Sequence, residues 1–197
     1  MNTTATVSNT TVTSPAAPVL PEGTRWALDP AHSHVSFSVR HMMISNVRGE
    51  FQKAAGEVTY DAQNPEASRI AVTVDVASIN TREEKRDAHL RSADFFDVEH
   101  HPVMTFASTG VRRRGDDLEV IGELTIRGTT RPVTLAVDEI TGEHSDPWGN
   151  RRVGASARTK IRRSDFGMRW NAALEAGGVL VGDEVSIQLE VELIRQK

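Results

Sequence analysis

From Thr24 onward, apolar side chains return at every second position, in one stretch after another. RIAVTVDVAS puts Ile70, Val72, Val74 and Val76 on one face and Ala71, Thr73, Asp75 and Ala77 on the other. DLEVIGELTIRG groups Leu118, Val120, Leu124 and Ile126, RPVTLAVDEI groups Val133, Leu135 and Val137, and DEVSIQLEVELI groups Val185, Ile187, Leu189, Val191 and Leu193. A strand points successive side chains to opposite faces, whereas a helix would space its apolar residues three and four apart. The chain therefore reads as strands with one greasy face each. They run over about 25–29, 33–41, 47–60, 69–78, 103–113, 117–127, 131–143, 150–163 and 183–195, with a bend expected at Gly56, since glycine inside a strand often marks one. Turn-forming stretches such as SDPWGN and IRGTTRP separate them.

Two insertions interrupt the pattern. In NTREEKRDAHLRSADFFDVEHHP, Thr81 and Glu84 have capping-box spacing, and Arg82 to Arg91 are good helix formers up to a stop at Pro102. DFGMRWNAALEAGGVLVG predicts a short helical turn near 171–175.

One short, charged helix cannot shield about eight half-apolar strands. The apolar faces must cover each other, in a sandwich or a closed barrel, and closure also removes exposed sheet edges. An eight-stranded barrel has an interior that side chains fill or that holds one small ligand. Ten residues at ~3.3 Å each, tilted by roughly 40°, give a barrel ~25 Å tall, suited to an elongated ligand. Small residues expected on the inward faces, Ala155, Ala157, Thr159, Thr105 and Ala107, would leave room for one.

Composition closes off other classes. The net charge of −4 gives no reason to expect a nucleic-acid partner. The absence of cysteine excludes disulfides, thiolate metal sites and cysteine nucleophiles. Nucleophile-elbow, P-loop and dinucleotide patterns are missing. Residues 1–23, rich in Thr, Ser, Ala and Pro, read as a flexible tail preceding one domain at 24–197. They show neither a basic start nor an apolar run, so a cytoplasmic location is expected, and no stretch is long and apolar enough for a membrane span.

LDPAHSHVSFSVRHMMISNVRGEF, SINTREEKRDAHLRSADFFDVEHHPVMTF, GELTIRGTTRPV, SDFGM and VGDEVSI together resemble the YceI-like family, over about 25–197. The resemblance implies a lipocalin-like, eight-stranded antiparallel barrel whose elongated lumen binds polyisoprenoids or other long-chain amphiphiles, without catalysis. Members are often periplasmic, which this chain's visible start does not match. A homodimer fits the family analogy.

The expected partner is thus a long-chain isoprenoid or fatty-acyl lipid, with no cofactor. The lumen candidates are Val35, Phe37, Val39, Phe51, Val72, Val74, Phe106, Leu124, Leu135, Trp170, Ile187 and Leu189, with Phe106 out of phase with Val103 and Val111. The mouth or gate candidates are His34, Asp87, His89, Leu90, Phe95 and Phe96, the last three forming an apolar plug on the helical insertion that Asp87 and His89 anchor. Sharper readings compete with these. His32 and His34 lie two apart and could share a metal ion, although a structural role is favoured and no metal is assigned. His34, His89 and Asp87 could serve an enzyme acting on a small molecule. A solidly packed barrel would instead be an interaction protein. EHHP reads as a turn. VRRRG and KIRRSDFG read as solvated basic faces, or else as attraction for a diphosphate or an anionic membrane surface.

Overall fold

Twelve strands follow the alternating stretches: β1 Thr24–Leu28, β2 His34–His41, β3 Ser45–Phe51, β4 Ala54–Tyr60, β5 Arg69–Asp75, β6 Ile79–Asn80, β7 Val103–Arg114, β8 Asp117–Ile126, β9 Thr129–Ile140, β10 His144–Ser145, β11 Arg151–Arg162 and β12 Val181–Arg195. This computed structural model describes residues 23–60, 64–114, 117–173 and 178–197. The segment read as a tail lies almost wholly outside the described residues, and so does the end of the helical turn expected near 171–175.

Several of these strands are halves of longer ones. β1 and β2 both run antiparallel to β12, β1 opposite Leu193–Arg195 and β2 opposite its earlier residues, so together they form one strand interrupted at 29–33. β4 pairs with β1 and β3 with β2, making a second bent strand. β5 and β6 continue it on the far side, where β6 pairs with β3. β7, β8 and β9 follow as antiparallel neighbours, β9 pairs with β11, and β11 pairs with β12 from Arg152 to Arg162. The result is a closed, eight-stranded, antiparallel barrel with one short helix, α1 Glu84–Arg91.

The bend expected at Gly56 lies elsewhere. Gly56 stays in register opposite Val72, and the interruption falls at Gln52–Lys53, where a 3-10 turn at Val76–Ser78 faces it. Ser78 holds the two kinks together: its carbonyl accepts from Gln52 N at 3.2 Å and its hydroxyl accepts from Lys53 N at 3.0 Å. The helix also starts differently. Glu83 is the cap, its carboxylate accepting from Lys85 N at 3.2 Å, while Thr81 turns inward. Ala173 bridges to Val179 across the second insertion, and residues 171–173 are not helical.

A bulge settles the phase of β7. Its register against β8 shifts between Ser108 and Gly110. Phe106 and Met104 before the bulge, and Val111 after it, are therefore all buried, although Phe106 and Val111 are an odd number of residues apart. Thr105 and Ala107, expected inward, share the opposite face, and Val103 is 48% exposed. The core forms two clusters. One gathers Val35, Phe51, Val74, Val76, Ile79, Met104, Ile126, Phe166 and Met168; the other centres on Phe106, Val111 and Val120.

Candidate functional site

The inner wall follows from which strand positions meet buried partners. Leu189 lies opposite buried Val35 on one side and Ala157 on the other, so alternation carries Ile187, Val191, Ala155 and Thr159 to the same inner face. Ile187 lies opposite Phe37, which lies opposite Gly49. A Cβ at Gly49 would come within 2.5 Å of the Phe37 ring, and one at Gly122 would strike the Phe106 ring and lie 2.6 Å from the Ala107 carbonyl oxygen. Both rings thus occupy space that a side chain at the facing glycine would need.

The packing of this wall is uneven. Val35, Phe37, Phe51, Val72, Val74, Leu124 and Leu189 pack in or against the first cluster. Phe106, Val72, Leu124 and Leu135 belong in or against the second. Along β11 and β12 the filling alternates: Ile161 and Leu189 pack against the first cluster, whereas Ala155, Ala157, Thr159, Ile187 and Val191 face inward, are only half buried and belong to neither cluster. Val39, the last inward residue of β2 before its turn, has the same character. Trp170 is not on the barrel wall. It stands in the segment after the 3-10 turn Arg163–Phe166, stacked edge-on to His89 with ring centres 4.7 Å apart and 5.4 Å from Phe95.

The helical insertion closes one end. Buried Asp87 accepts from Thr81 N at 2.9 Å and from the Thr81 hydroxyl at 2.5 Å. Arg86 donates to the Thr81 hydroxyl at 2.7 Å and to its carbonyl at 2.8 Å, and Arg91 donates to the carbonyls of Ala77 and Ile79. Leu90 and Phe96 pack on the first cluster, Phe96 meeting Phe51 edge-on at 5.7 Å, and Phe95 is buried. His89 lies 2.8 Å from an Asp94 carboxylate oxygen.

Alternation puts Arg162 and Arg163 of the basic cluster on opposite faces, so at most one can face inward, and the cluster as a whole reads as solvated; the inward one is Arg163. It is buried and donates to the carbonyls of Met168, Trp170, Gly182 and Val181, fastening the Trp170 segment to β12. Burial pushes its pKa below the ordinary arginine value. A buried arginine has no signature of its own in one sequence.

A polar groove of about 780 Å³ lies on the outer side at the opposite end, lined among others by His32, His34, His144, Asp146, Arg152 and Glu192. Arg152 is its centre. The guanidinium donates to Asp29 at 2.6 Å, Asp146 at 2.8 Å and Glu192 at 3.1 Å. Hydrogen bonds from Arg152 and then His32 hold the Asp29 carboxyl down to about 2. At Asp146, partial burial works against ionisation, but hydrogen bonds from Arg152 and Asn150 outweigh it and the pKa is lowered. His32 partners Asp29 at 2.9 Å, not His34, which stands on the strand's outer face opposite Glu190. Asp29, His32 and Glu192 present ligand atoms within 4.8 Å of one another, yet Arg152 already donates to both carboxylates.

The three groups of the enzyme reading are not brought together. His34 faces the groove, Asp87 is spent on Thr81, and His89 is paired with Asp94. In EHHP, His100 lies 2.9 Å from Asp97, whose carboxylate raises the imidazole pKa. In VRRRG, Arg112 pairs with Glu119 at 2.6 Å.

Comparison with known proteins converges on one family. The YceI-like domain matches residues 26–193. Protein YceI of Escherichia coli O17:K52:H18 is 38% identical over 166 residues, 84% of this chain and 83% of that protein. Protein YceI of Salmonella newport is 39% identical over the same shares. Among solved structures, Burkholderia cenocepacia BcnA superposes with a TM-score of 0.73 at 25% identity, covering 84% of this chain and 98% of that one. The Campylobacter jejuni YceI protein gives 0.67 at 30% identity over 80% and 90%. A polyisoprenoid binding domain from Saccharophagus degradans shares the fold, with a TM-score of 0.62 at 15% identity over 87% and 98%.

Proposed function

This chain belongs to the YceI-like family, and we propose that it binds one long-chain isoprenoid or related amphiphilic lipid inside the barrel, for storage or transport rather than chemistry. The observation that carries this reading is the inner wall of β11 and β12. Ala155, Ala157, Thr159, Ile187 and Val191 face inward there without joining either packed cluster, while Ile161 and Leu189 between and beside them do pack. A polyprenyl or acyl chain would complete that packing. Each buried methylene contributes about 0.8 kcal/mol, so ten contribute roughly 8 kcal/mol before ordering costs are subtracted. The Saccharophagus degradans domain, a polyisoprenoid binding domain of the same fold, agrees with the ligand class.

The plug of α1, Phe95 and Phe96 stands at one end of this space, and His89 and Trp170 offer polar atoms beside it for a headgroup. Specificity would lie there, because the wall is apolar and selects only for length and width.

Organic extraction of purified protein followed by mass spectrometry tests the proposal, together with titration by a prenyl quinone and a polyprenyl phosphate. A co-purifying lipid or saturable uptake at one site per chain is expected. No extracted lipid and no saturable uptake of either probe would remove the reading.

A further inference from the structure

The β2–β3 hairpin ends in Met42–Met43–Ile44, and these residues are 41%, 55% and 75% exposed. Val179, at 40%, lies in the neighbouring segment, where Met42 N donates to the Leu180 carbonyl at 2.8 Å and the Met43 side chain reaches toward Gly178. Four exposed apolar side chains thus share one end of the barrel. The backbone makes the placement less ordinary. Met42 and Met43 take φ of 50° and 61°, the left-handed region that glycine and asparagine adopt at lower cost. Bulky apolar residues are held at positions whose geometry favours polar or small ones. Arg40 donates to the Met43 carbonyl at 2.9 Å and fixes the turn.

Charge surrounds this tip on one side. Arg40 and Arg48 stand on the outer faces of β2 and β3, opposite Asn46 and Ser38. Neither pairs with a carboxylate among the described residues. The acidic groups of the adjoining β12 turn are occupied: Asp183 accepts from Ser164, and Glu184 from Lys160 at 2.7 Å. An apolar tip backed by unpaired guanidinium groups matches the boundary between acyl chains and anionic headgroups.

We propose that the Met42–Ile44 tip, with Val179, docks this protein on an anionic lipid bilayer. Docking there presents the plugged end of the barrel, because Arg163 ties the Trp170 segment to Val181, which lies opposite His41; Val39 and Val47 face inward and half buried beside that plug, so a chain leaving the bilayer meets apolar side chains at the gate. The transfer half of this statement rests on the lipid-binding reading above; the docking half does not.

Flotation of the full chain with vesicles of phosphatidylcholine, with and without about a third of phosphatidylglycerol, tests the docking. The wild-type chain is expected to float with the anionic vesicles and to be released by salt, which screens surface charge. Met43→Asp with Ile44→Asp should cut the bound fraction at least tenfold, and Arg48→Glu should lower it. Trp148→Ala, which removes an 81% exposed residue at the opposite end, should float like the wild type. All four side chains are exposed, and unchanged melting temperatures establish that the variants fold. Wild-type protein that fails to float, or flotation lost with Trp148→Ala and kept in the tip variant, overturns the proposal. Light scattering that shows a dimer broken by the tip variant, without vesicle binding, assigns the tip to a second copy and also overturns it. Uptake of a short, freely dissolved prenol separates the two readings. The tip variant should take it up like the wild type while extracting a long prenol from vesicles at least tenfold more slowly. A tip variant that loses free-prenol uptake overturns the docking role. A wild-type chain that takes up no prenol at all sinks the lumen reading and leaves flotation to decide docking.

Discussion

Ala157 offers the sharpest perturbation. It faces inward between Val137 and Leu189, is half buried and packs in neither core cluster. In Ala157→Phe a ring projects into the space assigned to the lipid. If it displaces about four methylenes at ~0.8 kcal/mol each, affinity falls by about 3 kcal/mol, roughly 200-fold. On the lumen reading the same ring enters space that a lipid would otherwise fill, so the melting temperature should hold or rise. A packed interior behaves in the opposite way. Overpacking costs about 1–3 kcal/mol, and a chain of this size loses about 2–4 °C per kcal/mol, so the midpoint would fall by about 2–12 °C. Thermal unfolding by circular dichroism, beside titration with a fluorescent prenyl probe, distinguishes the two. Unchanged affinity together with a lowered midpoint would refute the argument that β11 and β12 line a lumen.

Three further outcomes follow from the geometry. Gly122→Ala drives a methyl into the Phe106 ring and the Ala107 carbonyl, and should cost about 1–3 kcal/mol in a urea melt. Arg163→Met strips the carbonyls of Met168, Trp170 and Gly182 of this donor, while Val181 keeps Asn171; at about 1–3 kcal/mol for each buried group left unsatisfied, the loss should reach at least about 3 kcal/mol, with increased proteolysis of the 167–173 segment. In the wild type, Asp29 titrates near 2 when folded against an ordinary 3.8, so its contribution is complete above about 3.8 and disappears as pH falls toward 2. Arg152→Met removes the main cause of that depression, and acid unfolding followed by circular dichroism should begin at a higher pH.

The barrel was readable because period-two alternation survives wherever one strand face is wet and the other dry. It misleads where the backbone inserts a residue. Val103 and Val111 suggested a phase for β7 that Phe106 broke, and the bulge at Ser108–Gly110 reconciles them: the chain changes phase between Phe106 and Val111. Glycine misdirected the bend of the second long strand. Gly56 is an ordinary strand residue, and the kink sits at Gln52–Lys53 because Ser78, more than twenty residues away, supplies the hydrogen bonds that hold it. No local pattern announces such a partner. The plug residues were visible as a cluster, but their anchorage was not. Thr81 looked like a helix cap, yet its hydroxyl and amide are both committed to Asp87. Arg152 escaped notice, and Arg163 could not be told from Arg162, for a related reason. Arginine on a strand reads as solvent-facing until the structure shows the carboxylates and carbonyls gathered around it.

The ring is closed by β12, which pairs along one edge with β11 and along the other with both β2 and β1. The contacts that complete the barrel therefore join residues near the beginning of the domain to residues near its end, across some of the longest separations the chain allows. During synthesis one edge of β1 and β2 has no partner until residues 181–195 have been made, because the other edge alone is served by β4 and β3. Loop entropy must be spent before those pairs form, which places this chain among slow folders. Its unpaired edges are open to aggregation during that interval.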